Sequence, residues 1–353
     1  MDQPYYSSTA YNPTTLPDQP ESEERSWIKR FAKIRLPWGS AQDVAPENFL
    51  HIAAPKKLRN LEKAKLEREE KLAKGTYVPA PFEHVDFHDR HNHECYRYSL
   101  WSKRSHFWIY LLLFGKWTSI IFIALNIPIH FAMYSVSDES FLDFSKNALL
   151  EYYSWLIGTP LLAWAAGSIV ISYFPSLWIK PSRGPLWELN RRTGLVTVFD
   201  YDNNGEYKKN GTIGEITAPF YEFDAYIATS PDRQGLPMNV LYLAHRYRDI
   251  VINFGSLVAP DRSLQLPCAL WDFLQNYMDT SRPLPDLPRY EQYRHLDPVT
   301  AEHDLRTGRD PRYWIDMDDE TFKGKVKDML KRIDAIDTMS RPNLMLKHVT
   351  YVD

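Results

Sequence analysis

Two long apolar runs dominate the pattern of hydrophobic and polar positions. The first, FWIYLLLFGKWTSIIFIALNIPIHFAMYSV at 107–136, exceeds the ~20 mostly apolar residues that a membrane-crossing helix needs. Lys116 interrupts it. Either the helix begins near Phe107 and Lys116 snorkels, or 107–115 lies in the interface and the span starts at Trp117. Pro128 is tolerable in such a helix as a kink. The second run, YSWLIGTPLLAWAAGSIVISYFPSLWI at 153–179, carries no charge. Tyr152, Tyr153 and Trp155 mark one boundary, and Tyr173, Phe174 and Trp178 the other. Ala163 and Gly167 form a small-xxx-small pair suited to close approach by the first helix or by a second copy of the chain, the latter giving a homo-oligomer. Together the runs predict a two-helix membrane hairpin over 107–179.

Outside the hairpin the pattern is that of polar, half-buried elements. Residues 1–26 are polar, Pro-rich and acidic and predict a disordered tail. The region 27–106 opens on a short basic amphipathic stretch around Trp27, Phe31 and Ile34, read either as resting on an anionic leaflet or as packing locally. Its charged helix spans 55–74, with Pro55 at the start and Gly75 past the end. From Gly184 the spacing changes to strand–turn–strand: LWELN, RRTG, LVTVFDY, DNNG, then further short runs. CALWDFLQNYM at 268–278 places Leu270, Phe273, Leu274 and Tyr277 at helical spacing. Residues 184–280 therefore predict an α+β domain, an antiparallel sheet or half-open barrel closed by a helix, pleckstrin-homology-like in its most specific form. Residues 281–353 predict an extended connection, an amphipathic helix through Phe322, Val326, Met329, Leu330 and Ile333, and a loosely held tail after Ser340.

Charge placement orients the hairpin. Arg97, Lys103 and Arg104 precede the first run; Lys180, Arg183, Arg191 and Arg192 follow the second; the connecting loop holds one base, Lys146. The positive-inside rule puts the loop outside and both termini in the cytoplasm. There Cys95 and Cys268 are expected as reduced thiols. The first residues show no basic or apolar signal-peptide regions, so insertion is expected to use the internal segments. A formal net charge of −3 gives no global reason to expect nucleic acid as a partner, and aromatic residues at 14% suit a membrane interface.

Three clusters offer candidate chemistry. HVDFHDRHNHEC at 84–95 holds four of the eleven histidines, and His84, His88, His91, His93 and Cys95 are suitable donors for zinc or iron; no closed structural-zinc spacing is present, and a hydrophilic loop with locally hydrogen-bonded histidines is the reading preferred to a metal site. DYDNNGEYKKNG, from Asp200, begins like a calcium loop but has Gly211 where the bidentate Glu belongs, so a hairpin turn explains it. Arg191, Arg192, Lys208 and Lys209 are basic pairs at strand ends, read as ordinary solvated turns in preference to contacts with lipid head groups of the membrane that tethers the domain. Nucleophile-elbow, P-loop, kinase and dinucleotide motifs are absent from the sequence.

GPLWELNRRTGLVTVF through CALWDFLQNYMDTSRPLP resembles a poorly characterised group of bacterial inner-membrane proteins with a membrane hairpin and a cytoplasmic β-rich domain, some associated with type VI secretion effector loci. Trp187, Arg191, Gly194 and Val196 in the first strand pair, and Trp271, Tyr277 and Met278 in the closing helix, carry the likeness, which covers roughly residues 100–290. The resemblance implies an inner-membrane location and effector or immunity components as partners; it supplies no active-site residues. The expectation is a membrane-tethered interaction or accessory protein, with catalysis left open. The alternatives are a metal-dependent membrane enzyme using the 84–95 cluster and a lipid-sensing module.

Overall fold

The computed structural model of the chain describes residues 4–23, 32–79, 83, 85–201 and 214–352. They divide into two compact units, one within 1–77, 89–98 and 185–353, the other within 78–88 and 99–184.

The first unit is α+β. Its five-stranded sheet runs in the order β3 (Arg90–His91), β4 (Cys95–Ser99), β5 (Pro185–Asn190), β6 (Leu195–Asp200), β7 (Gly214–Pro219). A four-stranded antiparallel sheet runs β10 (Val251–Asn253), β9 (Pro237–His245), β8 (Phe223–Pro231), β2 (Ala32–Arg35). The β5–β6 turn is the expected one, with Trp187 opposite Val198 and Gly194 at φ +69°, a conformation that glycine adopts without strain. Helix α1 is Glu47–Ile52, and α2, Pro55–Ala73, is the charged helix, starting on Pro55 and stopped before Gly75 at φ +66°.

The closing helix, Gln265–Met278, is buried on every side from Pro267 onward. Such a helix needs an apolar surround, and the aromatic side chains provide it. Trp38 meets Trp271 edge-on with ring centroids 4.7 Å apart, and both indole N–H groups are satisfied, Trp38 by Phe223 O at 3.1 Å and Trp271 by Pro37 O at 2.9 Å.

Several boundaries differ from expectation. Residues 4–23, expected as a disordered tail, pack into this core: Tyr11 lies between Trp38 and Phe220, and its carbonyl accepts from Thr280 N at 3.0 Å. The tail after Ser340 is also held, since Met345 is fully buried and Leu344 N donates to Trp38 O at 2.9 Å. A short parallel ladder joins β1 (Ser22–Glu23) to β11 (Tyr351–Val352). Residues 184–280 are thus not a self-contained domain, because their core includes Leu36, Trp38, Phe49, Leu58 and Tyr96. Of the basic stretch around Trp27, Trp27 and Phe31 lie outside the described residues, and Ala32–Arg35 is an antiparallel strand paired with Arg35 opposite Tyr226.

The second unit is helical. Helix α3, Lys103–Tyr134, is long and apolar enough to cross a membrane, continues through Pro128, and carries Lys116 on its exposed surface. A second apolar segment is broken: α4 (Phe141–Ala148) runs through a π-helical turn at Leu149–Tyr153 to Leu156, then bends by 50° into α5 (Gly158–Tyr173). Pro160 explains the break, since it has no N–H to offer and its ring crowds the carbonyl four residues earlier. The helical structure therefore reaches back to Phe141, into the expected connecting loop. Helices α3 and α5 pack backbone to backbone. A Cβ on Gly115 would lie 2.4 Å from Trp164 N, and one on Gly167 would lie 2.8 Å from Leu112 N. Gly167 thereby serves the contact within the chain, the first of the two uses the sequence offered for it.

Candidate functional site

The histidine-rich segment falls in two units. His84 lies outside the described residues. In the second unit, His88 has φ +64°, and its N–H donates to Asp86 Oδ1 at 2.8 Å. In the first unit, Asn92 Oδ1 accepts from both Glu94 N and Cys95 N and makes a tight turn. His91 packs against Tyr96 with the rings tilted by 58° and centroids 4.4 Å apart, and burial, with Arg289 nearby, lowers its pKa to about 3. His93 lies beside Tyr293, and burial lowers its pKa as well. Burial pushes the Cys95 thiol up to about 11, the wrong direction for a thiolate ligand. Among the described residues no three His, Cys, Asp or Glu side chains converge on a possible metal position.

The basic pairs also separate. Arg191 is fully buried. Its Nη1 donates to Tyr277 O at 2.6 Å and Asp279 O at 2.8 Å, its Nη2 to Arg282 O at 2.6 Å, and its Nε to Asp297 Oδ1 at 3.2 Å. Asp297 caps the helix Pro298–Thr307 through Thr300 N and also accepts from Thr300 Oγ1 and Tyr6 O–H. Burial alone would raise its pKa, but the Arg191 charge and these hydrogen bonds outweigh burial and hold it below the usual carboxylate range. Arg191, expected near a head group, therefore ties the β5–β6 turn to the segments after the closing helix. Arg192 is half exposed and pairs with Glu94 at 3.2 Å. Lys208 and Lys209 lie outside the described residues, as does most of the calcium-like loop.

A surface cleft of about 380 Å³ opens beside the closing helix. Its floor is Tyr11 and Trp38, and its walls include Gln275, Asn276, Asn343 and Leu344. The loop at Trp38–Gln42 is held by side chains rather than by a sheet: Gly39 N donates to Gln275 Oε1, Trp38 N to Asn343 Oδ1, and Gln42 N to Asp272 Oδ2. Gly39 and Ser40 both have positive φ, +81° and +49°, so this loop is fixed in a shape that few residues adopt. The Gln275 Nε2 group is buried with no hydrogen-bond partner. Arg282 and Lys347 stand exposed at the rim, and no His or Cys lines the cleft. Asp279 also lines the cleft, where Ser281 N and Oγ donate to its carboxylate, and polar groups placed in this way can fix the orientation of a ligand. Sequence reasoning missed the cleft because its parts lie more than 200 residues apart.

No protein-family model, curated protein or solved structure matches the chain.

Proposed function

We propose that the chain is a membrane-tethered interaction module of the bacterial inner membrane, with both termini in the cytoplasm. One observation carries this reading: the apolar segment from Ser99 to Gly184 is inserted between β4 and β5, which are neighbours in one sheet. The Arg97–Glu188 pair at 2.5 Å and the Arg191 N to Glu94 O bond at 2.8 Å hold those strands together. A chain that leaves β4 and returns to β5 must come back to the side it left, so its number of membrane crossings is even. With α3 as one crossing, the broken segment supplies the return. Helix α5 alone rises about 24 Å over its length, short of the ~30 Å hydrocarbon core; the turn before the bend extends it.

The order of four strands β4–β7, three strands β8–β10 and one helix supports a pleckstrin-homology-like roll, and the cleft beside that helix supplies a recognition surface. Tethering raises the effective concentration of that surface towards partners at the bilayer. The resemblance to proteins of type VI secretion loci makes effector or immunity components the partners to test.

Because the buried Cys95 and Cys268 leave a quiet background, single cysteines report the topology. In the full chain, Asp138→Cys is expected to react with an impermeant thiol reagent when the outer face of the inner membrane is accessible, and Ser340→Cys only after lysis. Equal labelling of both overturns the two-crossing reading. Photocrosslinking from Ser40 in the same membranes is expected to trap a discrete partner that Lys347→Glu with Arg282→Glu releases.

A further inference from the structure

The second unit carries an uncompensated group of positive charges at one end. Lys103 and Arg104 occupy the first turn of α3, which holds no acidic residue, so the positive end of the helix dipole adds to their charge instead of offsetting it. Lys180, from the far end of the inserted segment, is brought beside them by Ser105. That side chain is fully buried; its hydroxyl bonds Trp178 O at 2.6 Å and Lys180 O at 3.1 Å, and accepts from Lys180 N at 3.3 Å. All three cations are exposed, and among the described residues none has a carboxylate partner. Trp101 and Phe107, both exposed, flank the group, as aromatic residues do at the level of lipid head groups. The opposite end of the unit holds Asp138, Glu139, Asp143 and Glu151 against a single base, Lys146.

Ser105 brings the Lys180 backbone to the first turn of α3, so three exposed cations from two chain segments share one end of the unit. We propose that Lys103, Arg104 and Lys180 bind the phosphate of an anionic phospholipid at the base of the helical pair. The site takes over the lipid contact that the sequence suggested for Arg191 and Arg192. Basic pockets between adjacent apolar helices recognise anionic head groups in this way. The proposal rests on the membrane reading of the second unit, and its test separates the two.

The full chain is reconstituted in nanodiscs of mixed phosphatidylglycerol and phosphatidylcholine, and retained lipid is read by native mass spectrometry. One base near an anionic surface is worth about fivefold in lipid affinity, so the wild type is expected to prefer phosphatidylglycerol by about a hundredfold. Replacing all three bases, Lys103→Gln, Arg104→Gln and Lys180→Gln, is expected to erase the preference, whereas Lys146→Gln leaves it. The triple change also removes charges that orient the helices. Ser105→Ala keeps every charge and releases Lys180, and it is expected to cost about fivefold. Retention of the preference in both the triple variant and Ser105→Ala overturns the proposal. Displacement of the lipid by millimolar inorganic phosphate overturns it in favour of a free-phosphate site. A chain that alkaline washing strips from membranes overturns the membrane reading itself; one that stays in the membrane without lipid preference overturns this inference alone.

Discussion

Arg191 Nε lies 3.2 Å from Asp297 Oδ1, and neither side chain is exposed to solvent. Three backbone carbonyls, at Tyr277, Asp279 and Arg282, take up the remaining reach of the guanidinium. This one side chain joins a strand turn, the end of the closing helix and the cap of the next helix.

Removing the cation leaves a carboxylate buried alone. Arg191→Met is expected to destabilise the folded chain by about 3–5 kcal/mol, measured by urea unfolding of the solubilised full chain. Arg191→Lys is expected to recover only part of this, because an ammonium does not reproduce the planar fork. Combining Arg191→Met with Asp297→Asn is expected to cost less than the sum of the single changes.

Acid acts in two windows. The folded-state pKa of His91, about 3, lies below the ordinary histidine value, so the unfolded chain takes up the proton first. Stability is expected to fall by up to ~1.4 kcal/mol per pH unit from about pH 6.5 towards 3. His91→Gln flattens that limb. The Asp297 pKa is lowered, so its contribution is complete above about pH 4 and is lost as pH falls through the depressed value. Asp297→Asn removes this second limb. A stability–pH profile for each variant checks the assignment.

The two helix-packing glycines have no room for a side chain. Gly115→Val and Gly167→Val are expected to separate α3 from α5, because the Cβ would collide with backbone atoms at Trp164 and Leu112. Gly324, in the helix Asp319–Asp334, has open space around it, and Gly324→Ala is expected to stabilise by about 0.5–1 kcal/mol. Limited proteolysis in detergent, with Gly324→Ala as the control, separates collision from a general effect of changing glycine.

Elemental analysis addresses the histidine segment. The purified full chain is expected to hold zinc and iron well below one per molecule, unchanged by His91→Gln with His93→Gln. One metal per chain, lost in the double variant, supports the metal-dependent reading instead.

The elements legible in the sequence are those whose signals are local. Helix 55–73 is bounded by its own Pro55 and Gly75, the β5–β6 turn by RRTG, and the closing helix by apolar residues at helical spacing. Pairings over long separations were not legible. Arg191 in a turn reads as solvated because its partner Asp297 is 106 positions away. Tyr11 and Leu16 are isolated apolar residues in a Pro-rich tract, and only the groove beside Trp38 and Phe220 makes them core. The cleft has the same origin: Gly39 meets Gln275 across 236 positions.

The insertion between β4 and β5 also bears on the order of assembly. Strand β2 emerges from the ribosome about as early as any element, yet Arg35 finds its tyrosine partner 191 positions later, after the whole apolar segment has been made. Until then Trp38, Phe49 and Tyr96 have no closing helix to cover them. While that segment is being made, the nascent chain therefore carries half-built apolar surfaces of the kind that chaperones bind and proteases cut. A chain that stalls before its closing helix is made shows the very surfaces that a finished chain hides.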